Sequence, residues 1–324
     1  MFAQILGTGT ALPKRVITNA SLATRLGIGS GAIEKRTGIR TRHWAEEGEA
    51  ASTFAVEAAR GALQAAGLSA DAVDLILVST TSPDMLFPST ACLVQKALPC
   101  RPIPAFDLNA SCTGFLYALS VGNQWIRNGS AAIVLIVAAE VKSPFINQDD
   151  PSTAILFGDG AGAVVLGAAE QRGIRSIRLH ADGSRHRLIT LPAGGSRRPT
   201  TIESLKGGLN YMQMEGKGLF RTAVKRMQEA LFSFSAESAC PLSEIDLFVF
   251  HQANLRILET VFRKTRLPIE KAVITIPRYG NTSSSSLPIA LDEAVKQGKM
   301  KQGSRILLCA FGGGVTWGTA LIDW

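Results

Sequence analysis

The sequence predicts a duplicated α/β fold with mixed sheets, because two sets of strand and turn patterns recur in the same order. Each set opens with an acidic residue, an apolar strand and a polar corner: DLILVSTTSP from Asp74 and DLFVFHQAN from Asp246. Each continues with another apolar strand and then Phe, a Gly-rich turn and a third strand: AAIVLIVAAE (131–140) with FGDGAGAVVLG (157–167), and SRILLCAFG (304–312) with FGGGVTWGTALI (311–322). Continuous runs of Val, Ile and Leu are typical of strands buried on both faces.

The length of the chain agrees with two structural units. Its 324 residues exceed what one hydrophobic core typically supports, and 46% of them are hydrophobic, so a large core can form. The repeated patterns divide near 167–173. We therefore predict an N-terminal half at 1–170 and a C-terminal half at 171–324.

The apolar segments are those of a globular protein and not of a membrane protein. The longest run, AAIVLIVAA (131–139), has nine residues, whereas a bilayer-spanning helix needs about 20. No basic segment followed by an apolar stretch opens the chain, so no secretory signal is predicted. We expect a cytoplasmic protein without a membrane partner.

The cysteines indicate neither a disulfide framework nor a zinc site. There are five, an odd number, and none are spaced as CxxC. Cys92 and Cys309 stand among apolar residues, where a thiol behaves as a small hydrophobe. We therefore predict no metal and no cofactor.

The positive charge indicates an acidic partner. The formal net charge is +8, with local concentrations at 36–43, 185–187 and 197–198. No zinc finger, RNP-type motif or long basic helix is present, which argues against nucleic acid. An acidic protein or a phosphate-bearing small molecule fits better, although any one cluster is equally well explained as a solvated face.

Cys112 is the candidate nucleophile. It lies between the strand pattern PIPAFDL (102–108) and a helix pattern in which apolar residues recur through Ile126 before a stop at Asn128-Gly129. Because a helix N-terminus favours an anion, we expect the thiol pKa to be lowered. Gly114 would leave room for a substrate beside the sulfur. The alternative is a buried structural cysteine.

Two residues of the second half are candidate hydrogen-bond donors. His251 follows the strand IDLFVF, and Asn281 stands in the turn of RYGNTSSSSLP before another helix pattern. Each alone is more often structural, but with Cys112 they occupy corresponding corners of a duplicated fold. A neutral imidazole and an amide aimed at one point form an oxyanion hole. The segment FGGGVTWG (311–318) could add a backbone N–H, since glycine lets backbone approach a ligand closely.

These residues carry a family resemblance. ASCTGF (110–115), FGDGAGAVVL (157–166), HQANLR (251–256), GNTSSSSLP (280–288) and FGGGVTWG (311–318) resemble the β-ketoacyl-acyl carrier protein synthase III family, the initiating condensing enzymes of bacterial fatty-acid synthesis. The resemblance covers nearly the whole chain. It implies the thiolase fold, with two α/β halves, mixed five-stranded sheets and a layered αβαβα arrangement.

The resemblance also implies a reaction and a set of site residues. Cys112 would take an acyl group from acyl-CoA, and His251 and Asn281 would stabilise the enolate formed when malonyl-acyl carrier protein loses carbon dioxide. The N–H groups of Cys112 and Gly313 would form the oxyanion hole. Further matching positions are Phe87, which in the family reaches into the partner's acyl pocket of a homodimer; the tunnel residues Met214, Gly216 and Asn254; and the basic mouth residues Arg36, Arg221 and Arg256. For Arg221 the alternative is an exposed helix face, since Lys225 follows at i+4.

Two positions depart from the family pattern. Some members hold the CoA adenine between a Trp and an Arg, and here those positions are Ala32 and Pro151. The donor could therefore bind differently or differ from acetyl-CoA. A condensing enzyme or acyltransferase of secondary metabolism, of the alkylquinolone or polyketide-starter type, remains an alternative.

A dinucleotide-dependent oxidoreductase is a weaker alternative. GDGAGA (158–163) fits the pattern G-x-G-x-x-G/A. That fingerprint must open a helix, whereas the residues that follow, AVVLG, favour a strand.

Overall fold

The structure is a computed structural model of the chain and describes residues 2–238 and 240–324. The strands are β1 Phe2–Ala11, β2 Val16–Thr18, β3 Thr41–His43, β4 Leu75–Ser79, β5 Ala105–Leu108, β6 Ile133–Glu140, β7 Gly160–Ala169, β8 Gly173–Ala181, β9 Ile189–Thr190, β10 Gln213–Met214, β11 Leu247–Phe250, β12 Arg305–Gly312 and β13 Thr316–Asp323. The α-helices are α1 Asn19–Leu26, α2 Ser30–Thr37, α3 Ala51–Ala66, α4 Thr90–Ala97, α5 Gly114–Arg127, α6 Pro151–Ala154, α7 Ile202–Lys206, α8 Gly216–Glu237, α9 Leu255–Thr265, α10 Ile276–Tyr279 and α11 Ser286–Lys296.

Two mixed sheets are built in the same order, which confirms the predicted duplication. The first runs β1-β7-β6-β4-β5, and the second runs β8-β13-β12-β11. In each, the strands at one end of the sheet are parallel (β6, β4 and β5; β12 and β11), and the pairs toward the other end are antiparallel. The sequence repeats therefore correspond to spatially equivalent strands: β4 to β11, β6 to β12, and β7 to β13.

The helices and sheets form the expected αβαβα layers. α3 and α4 cover the outer face of the first sheet, and α8 and α9 cover the outer face of the second. α5 and α11 lie between the sheets, where Phe115, Leu119, Leu287 and Leu291 are fully buried. In this central layer the short turns Ser111–Thr113 and Ser283–Ser285, which lead into α5 and α11, contact each other.

The prediction of five strands in each sheet is correct for the first and wrong for the second. The second sheet has four strands, and within the described residues the segment in the place of a fifth pairs with it at an isolated bridge between Phe248 and Ala272. The side chain of Gln252 forms hydrogen bonds with backbone groups of this segment. Its amide nitrogen donates to Val273 O at 3.0 Å, and its oxygen accepts from Thr275 N at 3.0 Å. A side chain thus replaces strand pairing at this edge.

Within the described residues, no helix combines the length and the apolar character needed to cross a bilayer.

Candidate active site

Two turns of the same construction precede the two central helices. Each begins with an Asn whose side-chain oxygen accepts from a serine N–H two residues later, at 3.3 Å in the first half and 2.8 Å in the second. Each serine has a left-handed backbone, with φ of 49° at Ser111 and 55° at Ser283. The equivalent segments are NASCTG (109–114) and NTSSSS (281–286). Asn281 therefore corresponds to Asn109, and the nucleophile position corresponds to Ser284.

Cys112 lies in the 3-10 turn Ser111–Thr113, directly before α5. Its side chain lines an elongated cavity, the tunnel cavity, together with His251, Asn281 and Gly313. The structure thus brings the thiol of one half to the same space as the imidazole and the amide of the other. The remaining walls are largely apolar, formed by side chains such as Leu219, Phe220, Ile257 and Phe311.

Gly114 does not face this space, contrary to the sequence-based expectation. A Cβ at this position would approach the Ser79 hydroxyl to 2.0 Å. Glycine is needed here so that α5 can pack against the end of β4, and it leaves no gap for a substrate.

His251 is held as a neutral hydrogen-bond donor. Its Nδ1 lies 2.6 Å from Ser286 Oγ, and the same oxygen accepts from Gln252 N at 3.3 Å. Since this oxygen already accepts an N–H, its own hydroxyl proton is best used toward Nδ1, which leaves the proton of the ring on Nε2. Burial lowers the pKa of His251 from 6.5 to about 3. The imidazole is therefore uncharged at neutral pH.

The orientation of Asn281 follows from its turn. Its Oδ1 accepts from Ser283 N, so the oxygen faces its own backbone. The amide NH₂ group is consequently the part of the side chain available to the tunnel cavity, which Asn281 lines.

The Gly-rich segment lies against the backbone of the nucleophile. A Cβ at Gly312 would come within 2.8 Å of Cys112 N, and one at Gly313 within 3.2 Å of Ser111 Oγ. Only glycine permits such an approach. The backbone of residues 312–313 therefore adjoins the amide of Cys112.

The thiol pKa is raised, and the expectation that the helix N-terminus lowers it is wrong. Burial raises the pKa of Cys112 most, and the negative charge of Glu140 adds to it, while a hydrogen bond with Ser283 and the charge of Lys142 act in the opposite direction. The sequence shows the helix start, but it does not show how deeply the sulfur is buried. The resting nucleophile is thus a neutral thiol.

A buried polar cluster beside Cys112 was not identified from the sequence. The sulfur lies 3.4 Å from Ser283 Oγ, which donates to Glu140 Oε1 at 3.0 Å. Lys142 Nζ lies 2.9 Å from the other carboxylate oxygen. Burial raises the pKa of Glu140, but Lys142 and the surrounding hydroxyls outweigh that effect and hold it below its usual value. The acidic residue that ends the apolar run AAIVLIVAAE was the available signal.

A second cavity forms the mouth of the tunnel, and we call it the outer cavity. Arg36 and Arg221 line it, and both side chains are exposed. Met214, Gly216 and Asn254 line both cavities. These five predicted residues therefore lie along one path from the surface to Cys112. Asn254 also begins α9, because its Oδ1 accepts from Arg256 N at 2.8 Å.

Two predicted residues lie elsewhere. Arg256 lines neither the tunnel nor the outer cavity, because its guanidinium donates to the carbonyl oxygens of Glu34 and Lys35 and to Glu259. It ties α9 to the end of α2. Phe87 is 84% exposed on the loop before α4 and contacts none of these cavities within the described chain.

The motif GDGAGA leads into β7 and not into a helix. The dinucleotide fingerprint requires the helix. The oxidoreductase alternative is therefore excluded on structural grounds.

Comparison with known proteins gives a consistent set of similarities. Residues 106–183 match the family described as 3-oxoacyl-[acyl-carrier-protein (ACP)] synthase III, and residues 236–324 match its C-terminal part. A curated β-ketoacyl-[acyl-carrier-protein] synthase III of Xanthomonas campestris is 44% identical over 322 residues, which is 99% of this chain and 98% of that protein.

Solved structures share the whole architecture. The crystal structure of 3-oxoacyl-[acyl-carrier-protein] synthase III from Aquifex aeolicus is 40% identical, with a TM-score of 0.91 over 99% of this chain and 100% of that one. A priming β-ketosynthase from a polyketide biosynthetic pathway is 31% identical, with a TM-score of 0.90 over 99% of this chain and 96% of that one.

Proposed function

This chain belongs to the β-ketoacyl-acyl carrier protein synthase III family, and on that basis we propose that Cys112, His251 and Asn281 divide the two half-reactions of its chemistry between them. It is an acyltransferase of the thiolase-fold condensing type, acting in fatty-acid biosynthesis. The observation that carries the residue assignment is the single cavity lined by the thiol, the imidazole and the amide.

In the first half-reaction, Cys112 takes an acyl group from acyl-CoA. Its Sγ forms a bond to the thioester carbonyl carbon, the bond from that carbon to the CoA sulfur breaks, and the thiol proton leaves with CoA. The tetrahedral oxyanion is held by the N–H groups of Cys112 and Gly313, whose backbone segments adjoin. The half at 1–170 supplies the nucleophile for this step.

In the second half-reaction, malonyl-acyl carrier protein occupies the same tunnel. Loss of carbon dioxide places negative charge on its thioester oxygen. The Nε2–H of His251 and the amide of Asn281 donate to that oxygen. The carbanion then attacks the acyl carbon on Cys112, the bond from that carbon to Sγ breaks, and the released thiolate takes up a proton from solvent. A neutral imidazole is suited to this role because it donates without first releasing or gaining a proton. The half at 171–324 supplies both donors.

The outer cavity supports recognition of phosphate and of an acidic carrier protein. Arg36 and Arg221 are exposed at its rim, and guanidinium groups pair well with phosphate. Met214, Gly216 and Asn254 then border the pantetheine arm. Beyond the tunnel, the exposed Phe87 would complete the acyl pocket of a second copy in a homodimer. No resident cofactor has a role in this scheme.

A starter-unit condensing enzyme of secondary metabolism is the second candidate. The observation that favours it is that Pro151, in the lining of the outer cavity, and Ala32, on α2, stand where some members of the family have the Arg and Trp that hold the adenine. Product identification tests the first candidate, which requires a 3-oxoacyl-carrier protein from a short acyl-CoA and malonyl-carrier protein.

The assignment is tested by intact-protein mass. Acyl-CoA should add one acyl mass to the protein, located at Cys112 by peptide mapping, and Cys112→Ser should reduce the transfer at least a thousandfold. Cys92→Ser is the matched control, since Cys92 is exposed and lines neither the tunnel cavity nor the outer cavity. An adduct that persists in Cys112→Ser would overturn the assignment.

A further inference from the structure

A third cavity, which we call the rear cavity, also reaches the nucleophile. Cys112, Ser283 and Gly313 line it, and so does Phe157. CoA enters by the tunnel cavity, which opens to the outer cavity on its other side. Under the proposed function, an acyl group that is bonded to Cys112 and lies outside the tunnel cavity occupies the rear cavity.

One side of this space is polar and charged. We define the polar wall as Thr81, Lys142 and Ser283, all of which line the rear cavity. Each of them contacts the Glu140 carboxylate. Thr81 Oγ1 and Ser283 Oγ each donate a hydrogen bond at 3.0 Å, and Lys142 Nζ forms an ion pair at 2.9 Å. Glu140 itself is fully buried behind the wall and does not line the cavity.

The polar wall retains capacity for a further hydrogen bond. An ammonium group has three N–H donors. Within the described residues, the ammonium of Lys142 has two partners, Glu140 and Thr81, which leaves one N–H for a ligand. An alkyl chain in the rear cavity would displace water from this wall without replacing its hydrogen bonds. That loss costs affinity, whereas an oxygen acceptor restores the bond.

The charge of the wall distinguishes a neutral oxygen from a carboxylate. The positive charge of Lys142 is matched by Glu140 in direct contact. A carboxylate on the acyl group would place a second anion beside one cation, and burying the excess charge is unfavourable. A hydroxyl or keto oxygen adds no charge and can accept from the remaining N–H of the ammonium.

We propose that the rear cavity selects acyl donors that carry a neutral oxygen, as hydroxyl or keto group, at carbon 3, in preference to alkyl donors of the same length. Carbon 3 is the position because its oxygen is four bonds from Sγ, just beyond Ser283, whose Oγ is 3.4 Å from the sulfur. This inference rests on the proposed function and names its substrate class.

The test measures the rate at which the full chain is acylated at Cys112, without malonyl-carrier protein. The donors are butyryl-CoA, both enantiomers of 3-hydroxybutyryl-CoA, 3-oxobutyryl-CoA and succinyl-CoA, all with four carbons, and acetyl-CoA as reference. We expect a 3-hydroxy enantiomer or the 3-oxo donor to react about tenfold faster than butyryl-CoA, which corresponds to one net hydrogen bond. Succinyl-CoA should be the slowest.

Two variants locate the effect in the polar wall. Thr81→Val keeps the shape and leaves the Lys142–Glu140 pair intact, but it removes the hydroxyl that holds the Lys142 ammonium in place, and it should reduce the preference severalfold. The double variant Lys142→Met with Glu140→Gln removes the pair without leaving a lone buried charge, and it should make butyryl-CoA the better donor. Thr24→Val, on the exposed face of α1, is the control and should leave the preference unchanged.

Butyryl-CoA reacting as fast as or faster than every oxygenated donor in the unaltered chain would overturn the inference. So would a preference that survives in both variants. In either case acylation of Cys112 still occurs, and the proposed function stands. If no donor, acetyl-CoA included, acylates Cys112, the proposed function fails and the inference fails with it.

Discussion

The sulfur of Cys112 lies 3.4 Å from the hydroxyl of Ser283, so the nucleophile of one half touches the turn that positions Asn281 in the other. Ser283 is the structural counterpart of Ser111, the residue directly before Cys112, and both have positive φ. The turn of the second half therefore lies against the reactive sulfur, and Cys112 itself stands in the equivalent turn of the first half. This contact joins the thiol to the buried pair formed by Glu140 and Lys142.

Ser283→Ala should make the thiol less reactive. The hydrogen bond to Ser283 lowers the Cys112 pKa against the raising effects of burial and Glu140, so its removal should raise the pKa further. We expect the pH midpoint for alkylation of Cys112 by iodoacetamide to move upward, followed by intact-protein mass. Ser285→Ala is the control, because that buried hydroxyl bonds to Thr282 O and not to the sulfur. A midpoint that stays fixed or falls would contradict this explanation.

Loss of either donor from the second half should separate the two half-reactions. His251→Ala and Asn281→Ala should each slow condensation about 10²–10³-fold, the usual cost of removing one oxyanion donor, while Cys112 acylation changes less than about threefold. Asn281→Asp is the sharper variant, since it keeps the acceptor for Ser283 N and replaces the donor by an anion. Acylation and condensation are measured separately, by protein mass and by carbon dioxide release. Equal loss of both would refute the division of roles.

The neutral state of His251 gives a pH dependence of stability. Its pKa falls from 6.5 to about 3 on burial, so the unfolded chain binds the proton more readily than the folded chain does. The stability contributed by this difference is fully present above about pH 6.5 and is lost as the pH falls toward 3. In urea unfolding between pH 7 and 5, the free energy of unfolding should depend less steeply on pH in His251→Gln than in the unaltered chain, by at most about 1.4 kcal/mol per pH unit. Identical slopes would mean that the imidazole is not held neutral.

The parts that sequence predicted are those with local signals. The recurring strand and turn patterns predicted the duplication. The helix after Cys112 was predicted from the spacing of its apolar residues and from the Asn128-Gly129 stop at its end. The polar cluster is different, because Ser283 and Glu140 are 143 residues apart in the chain, and an acidic residue at the end of an apolar run does not show which distant side chains it meets. The thiol pKa depends on burial, which local pattern does not give. The missing fifth strand depends on Gln252, a side chain that no strand propensity describes.

The two arginines of the basic mouth should differ in effect, because only one of them lines it. Arg221 is exposed at the outer cavity, while Arg256 is engaged with Glu259 and the end of α2. Arg221→Gln should raise the KM for acyl-CoA and for malonyl-carrier protein about three- to tenfold and reduce the dependence of both on salt. Arg256→Gln should leave KM within about twofold and lower the thermal stability instead, since it removes bonds between α9 and α2. Because Ala32 and Pro151 stand where some members of the family have the Trp and Arg that hold the adenine, acyl-CoA should also bind little more tightly than acyl-pantetheine phosphate. A larger effect of Arg256→Gln than of Arg221→Gln on KM would show that the carrier approaches by a different face.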